Sequence, residues 1–286
     1  MIFDLTLSTA MIIIGLAFIA EYIDSGLGMG YGTLLSPLLI IWGFSPISVV
    51  PSILITQAFG GLSASIFHHK YGNASFQLRS WNPFYIFQKI KEYGVKESFE
   101  KGFSEDLKTV IFITTFGIIA TIIAAFAAIR VSTVFLNTYI GILVMLMGVV
   151  LLSGITFRYS TPKMYLVGIV SSFNKGFSGG GFGPVVTGGQ MVLGQDHKKA
   201  ISCTTAAEFP ICIVGFLIYL FTDSISNWGL IISLGIGAML AGVAGPRMTR
   251  TLDKKTLLLI VSLVMIILGV ITLAKTYGFI SLKISV

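Results

Sequence analysis

Long apolar runs separated by short polar joints dominate the chain. They fall at about 6–23, 46–67, 108–129, 133–153, 163–177, 200–221, 228–246 and 256–274. A bilayer core takes about 20 apolar residues per helical crossing, so the pattern predicts eight membrane helices. Two further runs are interrupted: 26–43 (GLGMGYGTLLSPLLIIWG) and 177–194 (FSGGGFGPVVTGGQMVLG). Glycine and proline at that density break or re-aim a helix. Both runs are therefore expected to be broken or re-entrant segments.

Composition agrees with this pattern and narrows it. Of 286 residues, 55% are hydrophobic and 11% charged, where soluble domains carry about 25% charged residues. A soluble enzyme, a nucleic-acid-binding domain and a disordered chain are excluded, and no nucleic-acid partner is expected. The residues before the first run hold Asp4 and no Lys or Arg, unlike the basic start of a cleavable signal. Cys203 and Cys212 are nine residues apart in one helical run. That is a rise of roughly 13 Å, too far for a disulfide.

The net charge of +7 is read by location, because basic residues set topology. The longest polar stretch, 68–107, mixes Arg79, Lys89, Lys91, Lys96 and Lys101 with Glu92, Glu97, Glu100, Glu105 and Asp106. Its middle, 84–101, reads equally as an amphipathic surface helix (Phe84, Phe87, Ile90 and Val95 on one side) or as a solvated loop. With this stretch in the cytoplasm, Arg158, Lys163, Lys198, Lys199, Arg247, Arg250, Lys254 and Lys255 also fall inside. Arg130, Lys275 and Lys283 fall outside, and Lys175 is left within the membrane. Both termini are then expected outside, in a multi-pass protein of the cell membrane.

A shift of 151 residues superposes the two broken runs. Gly28, Gly30, Gly32 and Gly43 fall on Gly179, Gly181, Gly183 and Gly194, Tyr31 falls on Phe182, and Gln57 falls on Glu208. Further on, a shift of 120 places Arg130 on Arg250, the difference arising from the polar insertion. The charge count puts Arg130 outside and Arg250 inside, so the halves are expected to be inverted. The expected domains are a first repeat, 1–157, carrying the cytoplasmic insertion 68–107, and a second repeat, 158–286. Inverted repeats with paired broken segments point to a secondary transporter with a midplane site. The expected fold is thus all-α and integral to the membrane, an inverted-repeat transporter with about eight spanning helices and two glycine-broken segments.

The patterns GLGMGYGTLLSPLLIIWGFSPISVV and NKGFSGGGFGPVVTGGQMVLGQDHKKAISCTT, with the two-half layout, resemble the sulfite-exporter TauE/SafE family of permeases. The resemblance covers nearly the whole chain outside 68–107. It implies transport, as export, of small sulfur-containing anions such as sulfite or organosulfonates. The chain departs from the family's glycine triplet in its first half, where Met29 stands opposite Gly180.

Several residues can carry such chemistry. Backbone amides at Gly28, Gly30, Gly179, Gly180 and Gly181, at the starts of two helices facing each other, would favour an anion. The alternative is close packing through small residues. Lys175 lies in an apolar stretch just before the glycines, where a charge needs a cavity or a partner. It either holds the anionic substrate or pairs with Asp24, which occupies the matching position in the first half. Asn174 adds neutral donors. Glu208, in TTAAEFPICIVGF, is expected to carry a coupling proton or to pair with Lys175, with Thr204 one turn before it and Gln57 its neutral counterpart. Glu21 and Asp24 share a helix face and either carry protons or lie in water at a frayed end. His68, His69 and His197 fall at helix edges and read as solvated, so no metal site and no cofactor is expected. Small residues at four-residue spacing (Ala120, Ala124, Ala128; Gly237, Ala241, Gly245) predict close helix contacts. A channel and an intramembrane enzyme are the competing classes, although Ser178 lacks an evident catalytic partner. A monomer and a homodimer are both compatible with the sequence.

Overall fold

The computed structural model describes residues 5–77, 91, 102–153, 161–192, 194–222, 227–249 and 254–280. Its ten principal helices are α1 (Leu7–Leu27), α2 (Tyr31–Trp42), α3 (Pro46–Lys70), α4 (Glu105–Arg130), α5 (Thr133–Ser153), α6 (Thr161–Ser178), α7 (Gly183–Val192), α8 (His197–Phe221), α9 (Trp228–Met248) and α10 (Lys254–Thr276). Seven of them, α1, α3, α4, α5, α8, α9 and α10, are long and apolar enough to cross a membrane. The eighth expected span corresponds to α6. Ser171, Ser172, Asn174 and Lys175 make it too polar for that class, although it packs along α4. The surface helix expected over 84–101 falls almost wholly outside the described residues.

Several helix starts are fixed by caps. Thr6 Oγ1 accepts from Thr9 N at 3.2 Å, Ser104 Oγ from Leu107 N at 3.3 Å and Asn227 Oδ1 from Leu230 N at 2.9 Å, each satisfying an N–H that the first turn leaves free. The ends of α1 and α6 are set by Gly28 and Gly179, at φ 74° and 78°. Side chains with a Cβ rarely adopt this left-handed conformation, which explains glycine at both breaks.

Helices α3 and α8 form the middle of the molecule. Within their most apolar windows 78% and 61% of residues are buried, against 28% in α10. Around them α1 packs on α9, α9 on α3, α4 on α6 and on α8, and α5 on α10. The expected small-residue contacts are present. Ala120, Ala124 and Ala128 are buried, Gly237 lies against Ile14 and Ala17, and Gly245 against Ser25. Ile12, Ile19, Ile119, Ile123, Leu240, Leu263 and Ile267 are exposed, as side chains facing lipid would be.

One expectation is corrected here. His68 is fully buried rather than solvated, because the chain after α3 folds back over it. Its Nε2 lies 2.9 Å from the Ser25 carbonyl and its Nδ1 2.9 Å from Asn73 Nδ2, which also donates to the Pro246 carbonyl at 3.0 Å. His69 is exposed and His197 half-buried. Cys203 and Cys212 are both free and buried.

Candidate functional site

The two breaks lie against each other. A Cβ on Gly32 would overlap the Gly179 carbonyl, and one on Gly183 would overlap the Gly28 carbonyl. The Gly181 N–H donates to Thr33 Oγ1 at 3.3 Å, and Ser36 Oγ donates to the Ser178 carbonyl at 2.7 Å. Backbone contact this close tolerates no side chain, so the glycines here serve packing directly. Their amides are also engaged: Gly28 N donates to the Asp24 carbonyl at 2.6 Å, Gly179 N to the Lys175 carbonyl at 2.9 Å and Gly180 N to Ser178 Oγ at 3.3 Å.

Beside the breaks, four of the expected residues form one buried polar cluster. Lys175 Nζ lies 3.2 Å from Glu208 Oε1 and donates to Gln57 Oε1. Gln57 Nε2 donates to Glu208 Oε2 at 3.0 Å and to Asp24 Oδ2 at 3.1 Å. Asp24 Oδ1 accepts from the Tyr31 N–H at 3.0 Å, capping the start of α2. All four side chains are at most 3% exposed. Lys175 thus pairs with Glu208, and it meets Asp24's hydrogen-bond network through Gln57. A charge without a partner at this depth is costly; the amide of Gln57 joins the ion pair to the second carboxylate by using both its acceptor and its donors.

The other expected residues are placed differently. Asn174 turns toward α5, where its Oδ1 accepts from Tyr139 OH. Glu21 is fully buried, not frayed into water, and neither carboxylate oxygen has a hydrogen-bond partner among the described residues. It sits against Gly60 of α3, whose added Cβ would be 3.0 Å from its carboxyl carbon. Thr204 belongs to a separate group, with Thr187 Oγ1 at 2.9 Å and Gln190 Nε2 at 2.8 Å. Gly30 stands just before α2 at φ 141°.

Sequence reasoning missed Tyr31, Tyr139, Thr187 and Gln190 as members of these networks. Tyr31 is fully buried and its hydroxyl lies 2.8 Å from Thr56 Oγ1. The available signal for Gln190 was an amide side chain in an apolar, glycine-rich run.

The family model described as "Sulfite exporter TauE/SafE" matches residues 98–272, more than half of the chain. The chain belongs to the TauE/SafE family. The match takes in Lys175, the second break and Glu208, and leaves the first break outside it. This TauE/SafE protein is also 23% identical over 243 residues to the "Probable membrane transporter protein YtnM" of Bacillus subtilis (strain 168), covering 79% of this chain and 70% of that protein. No solved structure matches. The chain is a multi-pass membrane transporter of the TauE/SafE family.

Proposed function

We propose that this transporter exports a small sulfur-containing anion, sulfite or an organosulfonate, by alternating access around Lys175. The observation that carries the reading is a fully buried ammonium beside two broken helices, held by Glu208 and Gln57. The family description supports sulfite as the first candidate substrate. The inverted halves are taken as 1–157 and 158–286. Equivalent packings support this division: α1 on α9 matches α6 on α4, α3 on α9 matches α8 on α4, and α2 on α3 matches α7 on α8. The Gln57–Glu208 bond joins residues 151 apart, the offset between the glycine runs, and lies on the axis that would relate the halves. By the charge count both termini lie outside.

Coupling follows from competition. In the closed arrangement Glu208 occupies Lys175, so a substrate anion reaches the ammonium only by replacing that carboxylate. A displaced, buried Glu208 is stable only with a proton. Anion and proton therefore load together and leave together, so export follows the outward gradients of the two combined, and release of the proton returns Glu208 to Lys175 and expels the anion. Asp24 holds Gln57 and the start of α2 in place, and Glu21 is the next candidate to hold a proton. The Gly181 amide, which bonds Thr33 across the breaks, becomes free for substrate when the breaks separate.

The test is a panel of labelled anions in proteoliposomes under imposed pH gradients. Accumulation of sulfite or an organosulfonate against its gradient, driven by protons, is expected. Purely dissipative flux would mark a channel, and conversion of the anion without movement would mark an enzyme.

A further inference from the structure

Helix α8 presents Ala200, Thr204 and Glu208 at four-residue spacing, stacked along one face. Thr204 lies one turn from the Lys175–Glu208 pair, toward the end of α8 that carries Asp196, His197, Lys198 and Lys199. Gln190 of α7 donates through Nε2 to Thr204 Oγ1 at 2.8 Å and faces the carbonyls of Val186 and Ala200 at 3.3 Å. Thr187 Oγ1 lies 2.9 Å from Thr204 Oγ1 and donates to the Gly28 carbonyl at 3.1 Å. All three side chains are at most 1% exposed, and Gln190 Oε1 is buried with no hydrogen-bond partner among the described residues. Buried acceptors are nearly always satisfied, so this one is open to a donor that a ligand brings.

Of the matching positions in the first half, Ser36 keeps a hydroxyl opposite Thr187 and likewise donates across the breaks, to the Ser178 carbonyl at 2.7 Å, while the others are filled differently. Leu39 stands at the counterpart of Gln190, Ile53 at that of Thr204 and Val49 at that of Ala200, all buried. The first-half counterpart of this group therefore lacks the amide and the second hydroxyl. The second-half group lies toward the end of α8 that carries Lys198 and Lys199 and contains the unsatisfied acceptor.

We propose that Thr187, Gln190 and Thr204 form a second substrate subsite, between the basic end of α8 and the Lys175 centre. Its ligand is a small oxyanion that still carries a hydrogen-bond donor. The donor meets Gln190 Oε1, and the threonine hydroxyls rotate to donate to the anionic oxygens. A dianion without a donor leaves Gln190 Oε1 unsatisfied and faces its lone pairs. The inference rests on the transport reading for its biological setting, but the binding it asserts is measurable without transport.

Two probes of one shape class test it: 2-hydroxyethanesulfonate, which has a donor, and ethanesulfonate, which has none. Calorimetric titration of the purified protein is expected to give tighter binding of the hydroxylated probe by about fivefold, the factor of one net hydrogen bond. Gln190→Leu, which installs the first-half residue, should equalise the two. Thr204→Val should weaken both probes, while Thr204→Ser, which keeps the hydroxyl and guards against a folding artefact, should match the parent. Equal binding of both probes by the parent, or a preference that survives in Gln190→Leu, overturns the subsite. Preserved binding differences with no flux of any sulfur anion would instead take down the transport reading and leave the subsite standing.

Discussion

Helices α3 and α8 are each 25 residues long and meet at the middle of the molecule through Gln57 and Glu208. They bring unlike chemistry to like surroundings. Next to α3, Asp24 closes α1 and spends one oxygen on the first N–H of α2. Next to α8, the residue at the matching place is Lys175, which has no acceptor for such a cap and reaches across to Gln57 and Glu208 instead. Tyr31 at the start of α2 reaches Thr56, whereas its counterpart Phe182 has no hydroxyl to offer. The glycines do the same mechanical work in both places, bending the chain and letting the breaks touch. The two breaks thus share a shape and differ in charge: a carboxylate that caps α2 on one side, a buried Lys175–Glu208 ion pair on the other.

The most severe way to break this comparison is at the shared scaffold. Gly32→Val and Gly183→Val each drive a side chain into the opposite break's backbone. Both are expected to abolish transport and to lower the yield of folded protein sharply. Gly188→Ala meets nothing within 4 Å and should behave as the parent in a thermal melt. Survival of either valine variant with parental flux would show that the breaks do not pack as described.

Next in size are changes to the unlike residues. Glu208→Gln makes the Gln57–Glu208 pair alike, two amides, and removes the carboxylate proposed to carry the proton. Counterflow exchange of substrate should persist while accumulation driven by a proton gradient disappears. Retention of proton-driven accumulation at the parental rate would move coupling to Glu21 or Asp24. Lys175→Ala should raise the concentration for half-maximal transport about tenfold or more, equivalent to ~1.4 kcal/mol. It should also destabilise the protein by several kcal/mol, because it strands a buried carboxylate. Combining it with Glu208→Gln should recover part of that stability. Additive losses in the double variant would mean that the ion pair contributes no coupling energy.

The parts of the molecule that were readable from sequence are those where the membrane leaves few choices. Backbone groups in lipid must be satisfied within a helix, so the apolar runs marked spans, and the paired glycines marked where helices stop. Lys175 and Glu208 stood out because charge in an apolar run demands a partner, and the 151-residue offset brought in Gln57. Neutral polar side chains gave no such signal. Gln190 and Thr187 sit among glycines and are as compatible with simple packing as with a site. His68 misled for a related reason: its position at the last turn of α3 suggested water, but its surroundings are decided by Asn73 and Pro246, the latter 178 residues away along the chain. Asn174 was read as a supplier of neutral donors beside Lys175, yet which way it turns depends on Tyr139 of α5.

The smallest expected effect sharpens the comparison most finely. Tyr31→Phe gives the first half the residue type that the second half already has at Phe182. The lost hydroxyl contacts Thr56 Oγ1 at 2.8 Å. Thr56 nevertheless keeps its bond to the Ser52 carbonyl at 2.7 Å, so removing the tyrosine oxygen leaves no buried group without a partner. A change that deletes one hydrogen bond and orphans nothing costs about 1 kcal/mol. The Tyr31 N–H, which holds Asp24, is a backbone group and is untouched by the substitution. The variant should therefore melt slightly below the parent, with half-saturation and proton coupling both unchanged. If Tyr31→Phe instead slows transport several-fold at unchanged stability, the hydroxyl touches the substrate. The first half would then contribute more than a fixed acceptor, and the division of labour between the two breaks would have to be redrawn.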